Sequence, residues 1–552
     1  PSVLNLTAFE TFYRERRPFF LEGVGLFQFT VNCTVVNDCG QENLFYSRRI
    51  GRAPQLSGLY GDERSPSATT IIGAAKMTGR LPGGWSVGVL DAVTQREAGV
   101  DDKTVEPASN YAVVRATRDY RNGETGIGVI GTYVARATDE WSRDVLRSDA
   151  VTAGLDVRHR FLDRRYQVTG KIVGSRVSGT AEAIAATQRN NVHLYQRPDG
   201  PLQYDPTLTT LSGDFEQVTF GKVGGGMFRF ETSYQRTSPG FEINDLGFLN
   251  RADQQSQATW GQFSFQKPTS TYRRLFWNLN QSNSWTAGGM ATDRMVNTNA
   301  HMELPFSWWV HAGGTLYGLG EVYCDRCARG GPALRTDEGV SVWGGFEGDE
   351  RRTFAPGLWL NYNRRDGGRT RSFSLSPEVS ARISSGLNVS LGASVGENRD
   401  DRQWYGNLTD DAGVTHYTFA HLEQKTLSLT GRVDFTATPT LTLQVYAQPY
   451  LTKGTYTNLR ELDQPRAASY DDRFKPYTTV TPAGFNFQDF NSNVVLRWEY
   501  RPGSALFVVW QQGRQYGANA EGTGNVGDDF QNLFNVHPNN TFLIKLSYWF
   551  DR

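Results

Sequence analysis

The sequence predicts an all-β protein: a large transmembrane antiparallel β-barrel of about 22 strands with a short, plug-like N-terminal segment. From about residue 69 onward, segments of roughly ten to fifteen residues alternate between apolar and polar side chains. Short turns alternate with long polar connections, and aromatic residues collect towards the segment ends. No apolar run approaches the roughly 18 residues that a transmembrane helix requires, so any crossing of a membrane must use strands.

The segment KTLSLTGRVDFT shows the alternation most clearly. Leu427, Leu429 and Val433 fall on one face of a strand, whereas Arg432 and Asp434 fall on the other. A soluble sandwich also alternates, but charged residues on the polar face and long strands favour a membrane strand beside an aqueous lumen. The short turns that favour the same plan are LPGG, RNGE, LDRR, VGGG, SSG, ATPT and RPGS, beginning at residues 81, 121, 162, 223, 384, 437 and 501.

The C-terminal stretch TFLIKLSYWFDR is predicted to be the closing strand of the barrel. Lys545 and Ser547 would face the lumen, and the opposite parity would face lipid. A terminal strand that ends in rings also resembles the signal that the outer-membrane barrel assembly machinery reads, which makes that machinery an expected partner. The lipid-facing parity holds Phe542, Ile544, Leu546, Tyr548 and Phe550.

The strand count needs one further strand at the N-terminal end. The alternating segments give 21 candidates, and residues 401–437 can be divided in two ways. An even number then requires a strand before residue 69, and ENLFYSRRIGR, residues 42–52, is the candidate. The expected division is therefore an N-terminal segment over residues 1–41, lumenal or periplasmic, and an outer-membrane barrel over residues 42–552.

Charged residues near the N-terminus are the candidate functional residues. The motif RERRPFFLEG begins at Arg14, and its charges could form a selectivity cluster in the lumen. The alternative, which the mixed composition favours, is a structural plug whose rings pack while its charges pair. The candidate lumenal or plug residues are Arg14, Arg16, Arg17, Glu22, Arg48 and Arg49.

The four cysteines form two local pairs, Cys33 with Cys39 and Cys324 with Cys327. We expect two short disulfides in an oxidising compartment. A shared zinc site is possible by residue count, but the pairs are far apart and lack a supporting histidine. Redox catalysis is less favoured, because nothing around Cys324 predicts a redox module.

Other classes of site are weakly supported. Lysine plus arginine and aspartate plus glutamate both number 57, so charge gives no case for nucleic acid binding. His416 and His421 have an odd separation that puts them on opposite faces of a strand, and we predict no metal and no cofactor. Ser394 lies in a G-x-S-x-G pattern inside an alternating strand, which is not the elbow a hydrolase needs. A short helix is predicted over residues 181–191.

Several stretches resemble one bacterial family. They are NLTAFETFYRERRPFFLEGVGLF, LFYSRRIGR, IIGAAKMTGRLPGGWSVGVL, LYQRPDG, SPGFEINDLGFLNRAD and LTLQVYAQPY, and they extend along the whole chain. The family is that of outer-membrane barrels of unknown function, whose precursors usually carry a carbohydrate-binding, family-nine-like domain ahead of the barrel. The resemblance implies the outer membrane of a Gram-negative bacterium and implies no established activity.

These observations lead to three functional hypotheses. The first is a channel or transport component for polar or glycan-derived solutes. The second is a structural anchor or assembly partner for other envelope proteins. The third is a hydrolase embedded in the barrel, although the sequence favours a protein that is not an enzyme. Outer-membrane lipid and lipopolysaccharide are expected partners, and an upstream carbohydrate-binding domain is a further possible partner.

Overall fold

The structure is a computed structural model that describes residues 4–36, 40–518 and 525–549. Its main feature is a 22-stranded antiparallel sheet, which confirms the predicted fold class and strand number. The long strands are β1 Ile71–Leu81, β2 Trp85–Thr94, β5 Ser109–Tyr120, β6 Thr125–Arg136, β7 Asp149–Phe161, β8 Tyr166–Ser178, β9 Thr210–Lys222, β10 Phe228–Thr237, β11 Gln254–Phe265, β12 Arg274–Trp285, β13 Ala291–Glu303, β14 Trp309–Tyr317, β17 Gly339–Glu347, β18 Phe354–Arg365, β19 Thr370–Ser384, β20 Leu387–Thr409, β21 Thr415–Thr438, β22 Leu441–Leu462, β24 Phe485–Arg501, β25 Ser504–Ala518 and β26 Asn539–Ser547.

The shorter elements lie at the N-terminus and in the connections. The strands are β3 Glu97–Ala98, β4 Thr104–Glu106, β15 Val322–Cys324, β16 Leu334–Thr336 and β23 Phe474–Pro476. The α-helices are α1 Pro18–Leu21, α2 Val24–Phe27, α3 Ser57–Tyr60, α4 Ala181–Arg189 and α5 Val526–Asn535, and single 3₁₀ turns lie at Ser47–Arg49, Val100–Asp102, Arg121–Gly123, Asp366–Gly368 and Asp471–Arg473. Helix α4 confirms the helix predicted from residue 181, and the Thr180 hydroxyl caps it by accepting from the Ala183 amide. No helix in the described ranges is long and apolar enough to cross a membrane.

Each long strand pairs antiparallel with the next long strand along the chain, from β1–β2 to β25–β26. Strand β23 adds a short pairing to the end of β22, so the 22 strands consist of 21 long ones and β23. The pairs β3–β4 and β15–β16 form separate two-stranded sheets within connections. The described residues contain no ladder between β1 and β26, so the predicted closing strand pairs on one side alone.

The connections sort onto two sides of the sheet. On the short-turn side the chain reverses at residues 82–84, 121–124, 162–165, 223–227, 385–386, 439–440 and 502–503, which are the turns predicted from the sequence. The opposite, long-loop side carries residues 95–108, 137–148, 179–209, 238–253, 318–338 and 463–484, together with shorter turns at residues 286–290, 366–369 and 410–414. This division is the plan of a bacterial outer-membrane barrel.

The outer face of the sheet is apolar. Val129, Leu155 and Ile172 are neighbours on β6, β7 and β8, and each is exposed. Near the short-turn side, a continuous belt of rings crosses the outer face of β7–β12, with neighbouring centroids 5.0 to 6.3 Å apart. Such a belt is typical of a membrane–water interface. Its rings are Phe161, Tyr166, Phe220, Phe230, Phe228, Phe263 and Trp277.

Strands β20, β21 and β22 are the longest of the sheet, at 23, 24 and 22 residues. They continue on the long-loop side beyond the ends of the nine-residue strands β14 and β17. The stretch 401–437, which the sequence left ambiguous, therefore belongs to two long strands with the turn at residues 410–414.

Residues 42–52 do not form a membrane strand, and this prediction was wrong. Asn43 makes isolated bridges to Thr30 and Phe248, while Leu44 and Ile50 are fully buried. Their apolar side chains are covered by the inner face of the sheet and by residues 238–253, not by lipid. The expected division between residues 41 and 42 rested on this strand, whereas the first strand of the sheet begins at Ile71.

The lipid-facing character of the outer wall can be tested by placing a charge on it. We expect Leu155→Arg to destabilise the protein in lipid bilayers by about 2–4 kcal/mol, because Leu155 lies midway along β7 on the outer face. The measurement is urea unfolding in vesicles, followed by tryptophan fluorescence.

The control is Asn280→Arg, at similar height on β12 but on the inner face. This variant should unfold within about 1 kcal/mol of the parent, since lumen substitutions leave the lipid contact unchanged. Equal destabilisation by both variants would contradict the assignment of the two faces.

Candidate functional site in the lumen

Residues 4–36 and 40–70, here called the lumenal segment, pack against the inner face of one half of the sheet and against its loops. Phe20, Phe27 and Phe29 are buried in a core that also contains inward-facing Val113 and Val173. The lumen-facing parity of β2 and β5–β9 is consequently apolar where this segment covers it. The simple prediction of a polar inner face therefore fails on this half of the wall.

Arg17 holds two parts of the lumenal segment together. Its guanidinium donates to the carbonyl of Ile50 at 2.7 Å and to the carbonyl of Ser47 at 2.8 Å. It also pairs with the Glu15 carboxylate at 2.7 Å. Burial alone would raise the pKa of Glu15, but hydrogen bonds from Arg17 and Ser47 outweigh burial and lower this pKa to about 2. Glu15 therefore remains ionised at physiological pH and keeps Arg17 in place.

Arg49 ties the lumenal segment to the loop at residues 238–253. Its two terminal nitrogens donate to the two oxygens of Glu10, each at 2.8 Å. The same guanidinium donates to the Asn244 side chain at 3.0 Å and to the Gly247 carbonyl at 2.9 Å. Bidentate pairing with further carbonyl contacts is the geometry for which arginine is best suited.

The other predicted residues have looser environments. Arg48 lies over the Tyr13 ring and donates to the Arg14 carbonyl at 3.4 Å. The Glu22 carbonyl accepts from Lys76 on β1. The side chains of Arg14, Arg16, Glu22 and Arg48 are exposed. The structure thus brings Arg17 and Arg49 into one docking arrangement, and a selectivity role for the exposed charges stays a prediction.

Glu42 is a carboxyl group in an environment that disfavours its charged form, where the lumenal segment contacts the loop at residues 238–253. It accepts from the Asn32 amide at 2.6 Å and from the Asn250 backbone at 3.2 Å. Burial nevertheless raises the pKa of Glu42 to about 7, against the effect of these hydrogen bonds. Its ionisation therefore opposes the contact with loop 238–253 above neutral pH.

A buried ionic network joins three loops above the lumenal segment. Arg136 and Arg147 contact the Asp245 carboxylate at 2.7 and 3.0 Å, and His193 contacts Glu242 at 3.1 Å. Burial would raise the pKa values of Glu242 and Asp245, but Arg147 and the neighbouring donors lower both. This network has no local signal in the sequence, because its members are far apart along the chain.

The Cys324–Cys327 disulfide is present, with a sulfur–sulfur distance of 2.04 Å. The turn it closes is buried among other loops. Arg326 donates to the carbonyls of Val192 at 3.0 Å and Ala252 at 2.9 Å. The long loops therefore interlock over the lumen. Cys39 lies outside the described residues, so its pairing with Cys33 stays a prediction, and Phe550 likewise lies outside them.

One part of the uncovered wall, on strands β11–β14, β17 and β18, carries a cluster of neutral side chains, here called the amide–indole wall. Asn278 accepts from the Trp260 indole at 3.2 Å and from Gln262 at 3.0 Å. Asn280 donates to Asn297 at 2.7 Å. The wall consists of inward-facing Trp260, Gln262, Asn278, Asn280, Asn297, Asn299, His301, His311, Trp343 and Trp359 on strands β11–β14, β17 and β18.

Two indoles lie flat against this wall because glycine is beneath each of them. A Cβ atom at Gly313 would come within 2.6 Å of the Trp343 ring, and one at Gly345 within 2.7 Å of the Trp359 ring. The His311 ring stacks on Trp359 at 5.1 Å with an interplanar angle of 18°. The arrangement places half-buried indole rings, with amide donors and acceptors beside them, on the lumenal wall.

The hydrolase candidates do not form a catalytic arrangement in the described residues. The Ser394 hydroxyl contacts the Ser376 hydroxyl at 3.0 Å. His416 pairs with Glu461 at 2.5 Å, and His421 with Asp401 at 2.9 Å. A nucleophile beside a histidine is the minimum that acyl transfer needs, and these three residues do not supply it together.

Residues 1–552 match a family that is described as a domain of unknown function, DUF5916. No curated protein matches the sequence. The ferric enterobactin receptor PfeA of Pseudomonas aeruginosa, in complex with BCV-L6, is 11% identical over 82% of this chain and 74% of the receptor, with a TM-score of 0.47.

Two further solved structures are similar to this chain, and one of them is named as a porin. OpdK of Pseudomonas aeruginosa, with vanillate, is 13% identical over 69% of this chain and 95% of OpdK, with a TM-score of 0.34. The anion-selective porin of Comamonas acidovorans is 9% identical over 62% of this chain and 94% of the porin, with a TM-score of 0.27. These TM-scores are below 0.5, so the fold assignment rests on the strand pairing described above.

The role of Arg17 can be tested by protease access. Arg17→Ala removes two hydrogen bonds to backbone carbonyls, and a hydrogen bond to a charged group contributes about 1.5–3 kcal/mol. We expect trypsin to cleave within residues 4–36 at least about tenfold faster than in the parent. Arg16→Ala, which removes an exposed guanidinium from the same segment, is the control and should not increase cleavage elsewhere in the segment.

The raised pKa of Glu42 predicts a pH dependence of the docking. Because the docked form binds this proton more tightly than the released form, the contribution is complete below about pH 4.5 and is lost as pH rises through about 7. Amide hydrogen exchange of residues 29–36, corrected for intrinsic rates, should therefore speed up between pH 6 and 8.

Glu42→Gln should make this exchange independent of pH, since glutamine keeps the hydrogen-bond acceptor without the charge. Glu22→Gln, at an exposed site in the same segment, should retain the dependence of the parent. A pH dependence that survives in Glu42→Gln would assign the effect to another group.

Proposed function

The chain belongs to the DUF5916 family, and from this premise and the geometry of the lumen we propose an outer-membrane β-barrel that conducts small, neutral, polar solutes, glycan-derived sugars among them. Its location would be the outer membrane of a Gram-negative bacterium. The apolar outer face, the belt of rings and the division into short turns and long loops support that location.

The amide–indole wall carries the proposal. A sugar ring offers C–H groups on its faces and hydroxyl groups around its edge. Flat indoles such as Trp343 and Trp359 can pack against those faces. Asparagine and glutamine side chains both donate and accept, so they can replace water at hydroxyl groups without a charge.

The lumenal segment supports the proposal because it determines which wall a solute meets. A sheet of about 22 strands encloses a space too wide for selectivity unless part of it is filled. The lumenal segment fills the half beside β2 and β5–β9. A solute in the remaining space would pass along the amide–indole wall.

Two partners follow from this location. Lipopolysaccharide would contact the outer face near the long-loop side, and the barrel assembly machinery would insert the chain. A second function, as an anchor or assembly partner for other envelope proteins, is favoured by one observation: the edges of β1 and β26 have no partner strand in the described residues.

The proposed transport can be tested in planar bilayers. We expect ion conductance that a neutral trisaccharide blocks in a concentration-dependent way. Trp343→Ala and Trp359→Ala should each weaken the block about tenfold, which corresponds to ~1.4 kcal/mol for loss of a ring contact. The lipid-facing Trp498→Ala, with a side chain 48% exposed, is the matched control and should leave the block unchanged.

Absence of conductance both in the full chain and after removal of residues 1–40 would contradict transport. Conductance with no sugar block in the parent would retain a channel but contradict the proposed solute class.

A further inference from the structure

The sheet has two free edges that run in the same direction. Consecutive long strands alternate in direction because each pairing is antiparallel. With 21 long strands, β1 and β26 both run from the long-loop side to the short-turn side. A direct ladder between them would be parallel, unlike every other pairing of the sheet.

Free edges are costly at the height of the membrane. The outer edge of each strand presents backbone N–H and C=O groups that hydrocarbon cannot hydrogen bond. Strand β1 is 11 residues long and β26 is nine, so each edge extends over much of the membrane thickness. One further strand, antiparallel to both, would satisfy both edges at once.

The side chains beside the edges define what that strand must carry. On β1, Lys76 contacts Phe19 of the lumenal segment, so Lys76 and Arg80 share the lumen-facing parity. On β26, Phe542 stacks on lipid-facing Trp510, so Lys545 faces the lumen. Arg80 makes no side-chain hydrogen bond or ion pair among the described residues, and Lys545 contacts the Phe507 ring. Both flanks of the free edges are thus cationic.

We propose that β1 and β26 together bind an acidic, amphipathic β-strand donated by another envelope polypeptide. The strand is about ten residues long and runs from the short-turn side to the long-loop side. Its lipid-facing residues are apolar, and its lumen-facing residues include aspartate or glutamate opposite Arg80 and Lys545. Binding adds a strand to two sheet edges, a known mode of peptide recognition.

Two other occupants fit less well. A second copy of this chain in the same membrane offers edges that run in the same direction as β1 and β26 and that carry the same cations. The stretches of residues 1–552 outside the described ranges are three or six residues long, which is shorter than the roughly nine residues of a spanning strand. A strand of opposite charge that runs antiparallel to both edges meets the requirements of direction and charge.

The first experiment measures the direction of binding with a defined probe. The probe is a synthetic ten-residue peptide in which leucine or valine alternates with glutamate or threonine, with a nitroxide at its N-terminus. It is added to the full chain in vesicles carrying a second nitroxide at Ser547→Cys or, separately, at Asn539→Cys. We expect the peptide label to lie near residue 547 and about 27 Å farther from residue 539, as eight residues of strand span.

The second experiment measures the charge preference. The acidic peptide should bind the parent at least tenfold more tightly than a peptide with lysine in place of glutamate. Combining Arg80→Glu with Lys545→Glu should reverse this preference. If that double variant does not fold, Arg80→Gln combined with Lys545→Gln should abolish the preference instead. Lys267→Glu, an exposed charge on a distant short turn, is the control and should change neither affinity.

Four results would overturn the proposal. They are equal binding of the acidic and basic peptides, the reverse orientation of the bound peptide, failure of the acidic peptide to bind, and ready disulfide formation between Met77→Cys and Ile544→Cys in the peptide-free protein. The last result would show that β1 and β26 pair directly with each other within one chain. If the disulfide-linked product is a dimer, it would show that β1 of one copy pairs with β26 of another.

Discussion

The backbone hydrogen bond in a medium without water is the constraint on which this structure depends. Hydrocarbon cannot replace water as a partner for N–H and C=O groups, so a spanning strand must pair along both edges. The ladders between successive long strands meet that requirement throughout the sheet except at β1 and β26. Alternation of side chains, tight reversals on one side and rings at one height are then consequences of a paired sheet in lipid.

The same constraint does not act on the lumen, and the two halves of the inner wall differ accordingly. Beside β2 and β5–β9, inward residues such as Val113 and Val173 are apolar because Phe29 and its neighbours cover them. On β11–β14, β17 and β18, the inward residues of the amide–indole wall are amides and rings that meet solvent or solute. The wall can therefore be apolar on its inner face as well as its outer face where the lumenal segment covers the inner one. A sheet covered in this way resembles a buried sheet of a soluble domain.

Local pattern in the sequence was sufficient for the strands and turns, because period-two alternation and turn residues act within about ten residues. It also located the helix at Ala181 and the Cys324–Cys327 disulfide. It failed at residues 42–52, where Leu44 and Ile50 show the apolar character of a strand but are buried inside the lumen. Local pattern shows that a side chain needs an apolar environment and does not show whether lipid or protein provides it.

The candidate site was harder to predict for a related reason. Arg17 and Arg49 could be singled out from a dense charged motif, but their partners Ile50, Glu10 and Asn244 are specified by the path of the chain. The amide–indole wall has no sequence motif, since its members are spread over six strands, one to three on each. Gly313 and Gly345 were a usable signal, because glycine within a strand often marks a close approach by another group.

The unusual length of β20, β21 and β22 has a consequence for the cell surface. At about 3.3 Å per residue and a tilt of about 40°, strands of this length rise roughly 55–60 Å, about twice the hydrocarbon thickness. The halves of these strands nearest the long-loop side would extend as a rigid sheet among the sugar chains of the outer leaflet. Large particles approaching from that flank would meet paired strands, whereas on the flank of β8–β11 they would meet the long loops at residues 179–209 and 238–253.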